Sequence, residues 1–380
     1  MSRTVAQHDR PDRSDRQDRP DRADRQDRPG LRKALQEIVD SGFTGVTLRV
    51  HDRHGAWAGS AGVGALGASA PPPIDGRHRI GSNTKTFIAA LVLRLVADGA
   101  LGSLDDPVAG HLPAFGLDRR ITVRMLLQHT SGIFNFTGEY HEDGTITPGI
   151  PWQGRAWVEN RFATHRPEEL VRLALSEPPR FAPGADWSYS NTNYVLARLL
   201  VEQITGRPFA EEMHRLVLRP LGLSGTVVPE TSPEIPEPHA RAYYRYEEDG
   251  REKTVDVTRQ NPSWISGGGD MISTTRDLHT FLSALLGGRL LPAPLLAEMC
   301  TPHPQAGYGL GLFVQETEGG ATVLTHNGGI AGHAALMYGT PGGGTTLTAT
   351  LNYVDDAGMS LAGPFQTATR TLVEEVFGRP

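Results

Sequence analysis

Strand-like alternation near both ends of this 380-residue chain, with helical spacing in between, is the feature that most narrows its possible folds. Residues 31–40 (LRKALQEIVD) have a helical period. Val46, Leu48 and Val50 then alternate as a half-buried strand, and Asp52-Arg53-His54-Gly55 turns it into a partner containing Trp57. From about 82 to 215 helical patterns dominate, broken by Pro- and Gly-rich loops at 102–120, 132–155 and 177–186. Strand patterns return from about 240, at 307–314, 321–326, 332–339 and 345–353, before an amphipathic helix near 361–377. Strands from both termini bury their apolar faces by sharing one sheet. The pattern predicts an α+β fold: an antiparallel sheet built from both chain ends, flanked by helices, with an all-helical insertion beside it. The sheet part would take about 31–80 and 227–380 and the helical part about 81–226, with the active site at their junction.

The amino terminus stands apart from this pattern. Residues 9–29 read DRPDRSDRQDRPDRADRQDRP, seven copies of a D-R-x triplet with no aliphatic side chain larger than Ala23. Such a segment has too little apolar surface to offset its ordering entropy, so residues 1–30 are expected to be a disordered tail ahead of one domain, 31–380. It also lacks the apolar stretch of a secretory signal, which predicts a cytoplasmic protein as the sequence stands, or a secreted one if the start differs or is processed. The balance of 37 Lys+Arg against 43 Asp+Glu argues against a nucleic-acid binder. Cys300, the single cysteine, rules out an intramolecular disulfide and a Cys-rich metal site. The apolar run from Phe87 to Leu93 stops at Arg94, short of the roughly 20 residues that span a bilayer.

Three short motifs carry chemical promise. In Ser82-Asn83-Thr84-Lys85 the serine sits at the amino end of a helix, with the lysine one turn on along the same face. A serine hydroxyl attacks only when a base takes its proton, and a lysine is such a base when burial and the helix terminus depress its pKa. Of the 37 Lys+Arg residues, only Lys33, Lys85 and Lys253 are lysines. A lysine here stands out, because it can lose its proton and arginine cannot. Tyr189-Ser190-Asn191 lies where a Pro-Gly loop enters another helix, and His326-Asn327-Gly328-Gly329 ends a strand. A phenol near an ammonium can relay a proton, Asn191 can hold a carbonyl and a lysine at once, and glycines let a ligand approach the strand backbone. Each motif alone also has a plain structural reading: a helix cap, a space-filling tyrosine, an edge-strand histidine before a bulge.

Together, in this order and spacing, they resemble the serine β-lactamase and penicillin-recognising DD-peptidase superfamily, in particular its class C branch. The resemblance extends through RIGSNTKTFIA, LLQHTSGI at 126–133, FAPGADWSYSNTNYVLA, PLGLSGT at 220–226, GGGDMISTTRDLHTFL at 267–282, YGLGL at 308–312 and HNGGIAGH at 326–333. It implies Ser82 as acylated nucleophile, Lys85 as its base, Tyr189 as proton relay and His326 in the place of the third-motif lysine or histidine. It further implies substrate contacts from Asn191, Asn327, Gly328 and Gly329, with the amides of Ser82 and Gly329 as oxyanion hole. The implied reaction is two-step acyl transfer from a peptide or small-molecule donor to water, an amine or an alcohol. No cofactor, metal, nucleic acid or membrane span enters it.

One departure bears on substrate. Family members that hold a substrate carboxylate do so near the third motif, by Lys, Arg or a hydroxyl. Here His326 replaces the lysine, Gly329 replaces the hydroxyl, and no Lys or Arg occurs from Leu290 to Thr369, though Arg241 could enter from elsewhere. The leading expectation is a D-alanyl-D-alanine carboxypeptidase- or D-peptidase-like amide hydrolase. The alternatives are an esterase or intracellular transacylase, a β-lactamase, and a non-catalytic ligand-binding module. No G-x-S-x-G or phosphate-binding loop is present. His51 and His54 are read as solvated, His129 and Cys300 as structural, and Trp152, Trp187 and Trp264 as packing. Loops 133–160 and 227–262 are expected to shape substrate choice.

Overall fold

The computed structural model describes residues 27–141 and 144–378. Most of the D-R-x stretch, expected as a disordered tail, therefore lies outside the described residues. Its last residues do not: Arg28 makes two hydrogen bonds, of 2.6 and 2.8 Å, to Asp52, and helix α1 (Pro29–Asp40) follows at once. Proline suits the first helical position because its missing N–H would have no helical acceptor.

A six-stranded sheet organises the chain. Its strands are β1 (Gly45–Asp52), β2 (Gly55–Gly62), β3 (Phe313–Glu316), β4 (Thr322–Ile330), β5 (His333–Gly339) and β6 (Thr346–Asn352). They lie in the order β2-β1-β6-β5-β4-β3 and every neighbouring pair is antiparallel. The seam between the chain ends is β1 against β6, from Gly45 opposite Asn352 to His51 opposite Thr346. The expected strand at 307–314 is shorter and later, because Gly309 and Gly311 bend the chain: a side chain at Gly311 would strike Ala89, 2.5 Å away.

Alternation along the strands sorts two cores. On one face Val46, Leu48 and Val50 of β1, Leu336 of β5, and Leu347, Ala349 and Leu351 of β6 pack beneath α1 and the closing helix, α5 (Ala362–Phe377). Removing such side chains from water stabilises the fold by about 1.5–3 kcal/mol for each large aliphatic residue. The opposite face packs, through Leu324, Ala335 and Met337, on a larger core containing α2 (Thr84–Ala97), α3 (Asn191–Thr205) and α4 (Thr275–Leu286). Helix α2 is buried on every side from Thr84 to Leu93, as a helix apolar nearly all round must be.

The insertion is not all-helical. Gly138–Tyr140 and Ile146–Pro148 pair as a short hairpin within it. Outside the main sheet, Tyr243–Glu248 and Arg251–Asp256 form a hairpin joined in parallel by Val354–Asp356. Among the described residues no helix is long and apolar enough to cross a membrane.

Candidate active site

Ser82 lies in a single 3-10 turn, Gly81–Asn83, that runs directly into α2. Gly81 has φ +50°, and a side chain there would come within 2.5 Å of the Gly329 nitrogen. A side chain at Gly328 would overlap the Ile80 carbonyl oxygen and lie 2.7 Å from the Ser82 nitrogen. Glycine at both positions lets the β4 backbone press against the serine turn. Strand β3 pairs only with Thr322–Thr325, so the edge of β4 beyond them is left to this contact.

Lys85, one turn along α2, is fully buried while Ser82 is half-buried. Its Nζ lies 3.1 Å from Ser82 Oγ and donates to Asn191 Oδ1 at 2.8 Å and to the Gly268 carbonyl, which leaves a neutral amine's lone pair for the serine hydroxyl. All three partners are neutral. Burial drives the Lys85 pKa well below its ordinary value, and the field of Asp270 opposes this only in part. Asp270 is itself committed to Arg198, at 3.2 Å, and to the Gly267 amide.

The Tyr189 ring stands beside Lys85, its centroid 4.8 Å from Nζ, and packs against the His129 ring at 4.4 Å. Burial raises the phenol's pKa, so it stays protonated. Asn191 opens α3. Its Oδ1 holds Lys85, its Nδ2 donates to Thr137 Oγ1 at 3.1 Å, and its amide donates to Asn135 Oδ1 at 3.0 Å. The insertion thereby fixes the lysine from one side while β4 closes the other.

The third motif divides, because successive residues of a strand face opposite ways. His326 points toward the serine side and is buried. Its Nδ1 lies 2.8 Å from the Asn327 carbonyl, which can only accept, so that nitrogen carries the proton. Nε2 then accepts from the Tyr308 hydroxyl at 3.2 Å. Burial, then the nearby Lys85, holds the His326 pKa down to about 3, leaving a neutral ring with both nitrogens engaged. Asn327 points to the other face, where its Nδ2 donates to the Tyr338 hydroxyl at 2.8 Å. Strand alternation thus turns the Asn327 side chain away from Ser82. Gly328 and Gly329 meet the serine turn through their backbone.

Several site residues escaped the sequence reading. Gly268, Asp270 and Tyr308 lie in segments quoted for the resemblance, but nothing in their spacing shows that a carbonyl reaches Lys85 or a phenol reaches His326. His129 is fully buried; its ring lies 4.4 Å from that of Tyr189, and its Nδ1 faces Asn193 Nδ2 at 3.2 Å. Arg241, the candidate carboxylate anchor, is paired with Asp256 at 2.7 Å. Among the described residues no group of three or more His, Cys, Asp or Glu is placed to hold a metal.

A half-buried serine, a buried lysine on its hydroxyl and a tyrosine from a helical insertion define the arrangement of a β-lactamase-type serine hydrolase. The Beta-lactamase family model matches residues 31–366, and the chain belongs to that family. A D-stereospecific amidohydrolase from Streptomyces sp. is 38% identical, with a TM-score of 0.79, covering 93% of this chain and 100% of that one. A D-amino acid amidase from Ochrobactrum anthropi is 26% identical with a TM-score of 0.77, covering 91% and 98%. Esterase EstB of Burkholderia gladioli is 37% identical over 183 residues, 45% of this chain and 44% of that protein. The chain spans about half the length of some curated relatives, 53% and 44% for two of them.

Proposed function

We propose that this protein is a serine acyl-enzyme hydrolase of amide bonds, acting on amides or short peptides of D-configured amino acids. The observation that carries the reading is the buried Lys85 Nζ, 3.1 Å from Ser82 Oγ and held by neutral partners. A neutral lysine takes the serine proton as Oγ attacks the carbonyl carbon. The amides of Ser82 and Gly329 receive the charge that develops on the carbonyl oxygen. Tyr189, protonated and beside Lys85, gives its proton to the departing amine and is reprotonated by the Lys85 ammonium, which restores both groups; water then attacks the acyl-enzyme by the same route. His326 acts as a positioning residue, through Tyr308, rather than by touching substrate.

Similarity over nearly the whole chain to the D-stereospecific amidohydrolase supports the D-amide class. The carboxypeptidase reading loses ground, since Arg241 is committed to Asp256 and no Lys or Arg stands between Leu290 and Thr369. The test is hydrolysis of D- and L-phenylalanine amide alongside intact-protein mass after benzylpenicillin and after a p-nitrophenyl ester, with Ser82→Ala as the blank. Turnover of the D-amide and a Ser82-dependent acyl adduct are expected. Ester turnover with no amide turnover would replace this reading with the esterase one, and activity surviving in Ser82→Ala would remove the nucleophile.

A further inference from the structure

Behind the oxyanion strand, on the face of the sheet away from Ser82, a cavity of about 270 Å³ opens between β4 and the start of α5. Phe43, Tyr353 and Phe365 give it aromatic walls, and Asn327, Gly329 and Asp355 complete the part that concerns the argument. Gly329 also meets the serine turn, so anything filling the cavity lies one residue's thickness from the nucleophile. Asp355 lines the cavity, and its carboxylate accepts from the Asp356 amide at 2.9 Å. Among the described residues no arginine or lysine is paired with Asp355; the nearby Arg245 is committed to Asp356 at 2.8 Å.

We infer that this cavity is a subsite for an organic cation, an ammonium or guanidinium carried by the substrate on an apolar or aromatic group. Aromatic walls attract a cation through their ring faces, and a carboxylate supplies the opposite charge. A substrate carboxylate would instead meet Asp355 and be repelled. Burial pushes the Asp355 pKa up to about 6, so at neutral pH the site holds an uncompensated charge. The inference rests on the amide-hydrolase reading for the identity of the substrate, but the cavity can be tested without it.

The first experiment titrates the full-length Ser82→Ala chain at pH 7.5 with 2-phenylethylamine, a cation, and with 2-phenylethanol, its neutral counterpart, by calorimetry. The amine should bind at least about tenfold more tightly, and Asp355→Asn should erase the preference. Equal affinities, or a preference that survives Asp355→Asn, would overturn the proposal. Asp355→Asn removes a buried charge, so its melting temperature at pH 7.5 should hold or rise. The second experiment locates the cation in the reaction. It compares p-nitrophenyl 6-aminohexanoate with p-nitrophenyl hexanoate as donors, and 1,4-diaminobutane with butylamine as acceptors. A fall in the donor ratio in Asp355→Asn assigns the cation to the acyl group, and a fall in the acceptor ratio assigns it to the amine; a fall in neither overturns the proposal. Absence of any ester turnover in the wild type would count against the acyl-enzyme reading, and the titration would still decide the cavity.

Discussion

The two faces of the main sheet are built to different ends. The face under α1 and α5 is almost wholly apolar, with Val46, Leu48, Leu336, Leu347 and Leu351 packed together. The opposite face buries Thr47, Arg49, His333, Thr348, Thr350 and Asn352, and farther along the same side lie Lys85, His129 and Asp270. Burying polar groups costs free energy unless each finds a partner, and a lysine held only by neutral groups is a costly case. The apolar face offsets that cost. One side of the sheet stabilises the fold so that the other can hold a lysine in its reactive form.

The largest effect expected is on the polar face. Lys85→Arg puts a permanent cation, unable to accept a proton, where the neutral amine stood, so the acylation rate should fall on the order of 10³-fold, measured by burst kinetics with an ester. A loss under about tenfold would show that Lys85 is not the base. On the apolar face, Leu48→Ala should lower stability by about 2–5 kcal/mol in urea unfolding while kcat/KM per folded molecule holds. A matching loss of kcat/KM would mean that the two faces are not separable.

Acid should distinguish the faces as well. His326 and His78 have folded pKa values depressed to about 3 and about 4, chiefly by burial. The unfolded chain takes up these protons first, at about 6.5, so stability should fall as pH drops from about 6.5 toward 4. Scanning calorimetry across that window checks the sign, and His326→Gln should flatten the slope. Flatness in the wild type would place these rings in contact with water. The smallest effect belongs to the surface: Lys33 and Glu37 are 3.3 Å apart on the exposed face of α1, and Lys33→Ala should change stability by less than about 0.5 kcal/mol.

Much of the architecture was legible because burial imposes periodicity. Apart from the strand expected at 307–314, the terminal strands, α1, α5 and the serine turn sit within a few residues of where alternation and helical spacing put them. The hairpin inside the insertion escaped, since strands of three residues, Gly138–Tyr140 and Ile146–Pro148, are too short to show a period. Ser82, Lys85, Tyr189 and Asn191 could be named from motifs, and the structure gathers them. The motif alone does not show where the Asn327 side chain points, because a motif lists neighbours in sequence while a strand sends them to opposite faces.

By itself, then, the sequence determined the two-ended sheet, the serine at a helix start and the scarcity of lysine that makes Lys85 stand out. Only the tertiary structure decided that Lys85 is surrounded by neutral partners, that His326 has both nitrogens occupied, and that Asp355 faces an aromatic cavity behind Gly329. These depend on residues far apart in the chain: Lys85 meets Gly268, His326 meets Tyr308, and Phe43 meets Tyr353. Protonation and partner choice follow from such contacts, because a side chain's pKa and its free hydrogen-bonding capacity are set by what surrounds it in space.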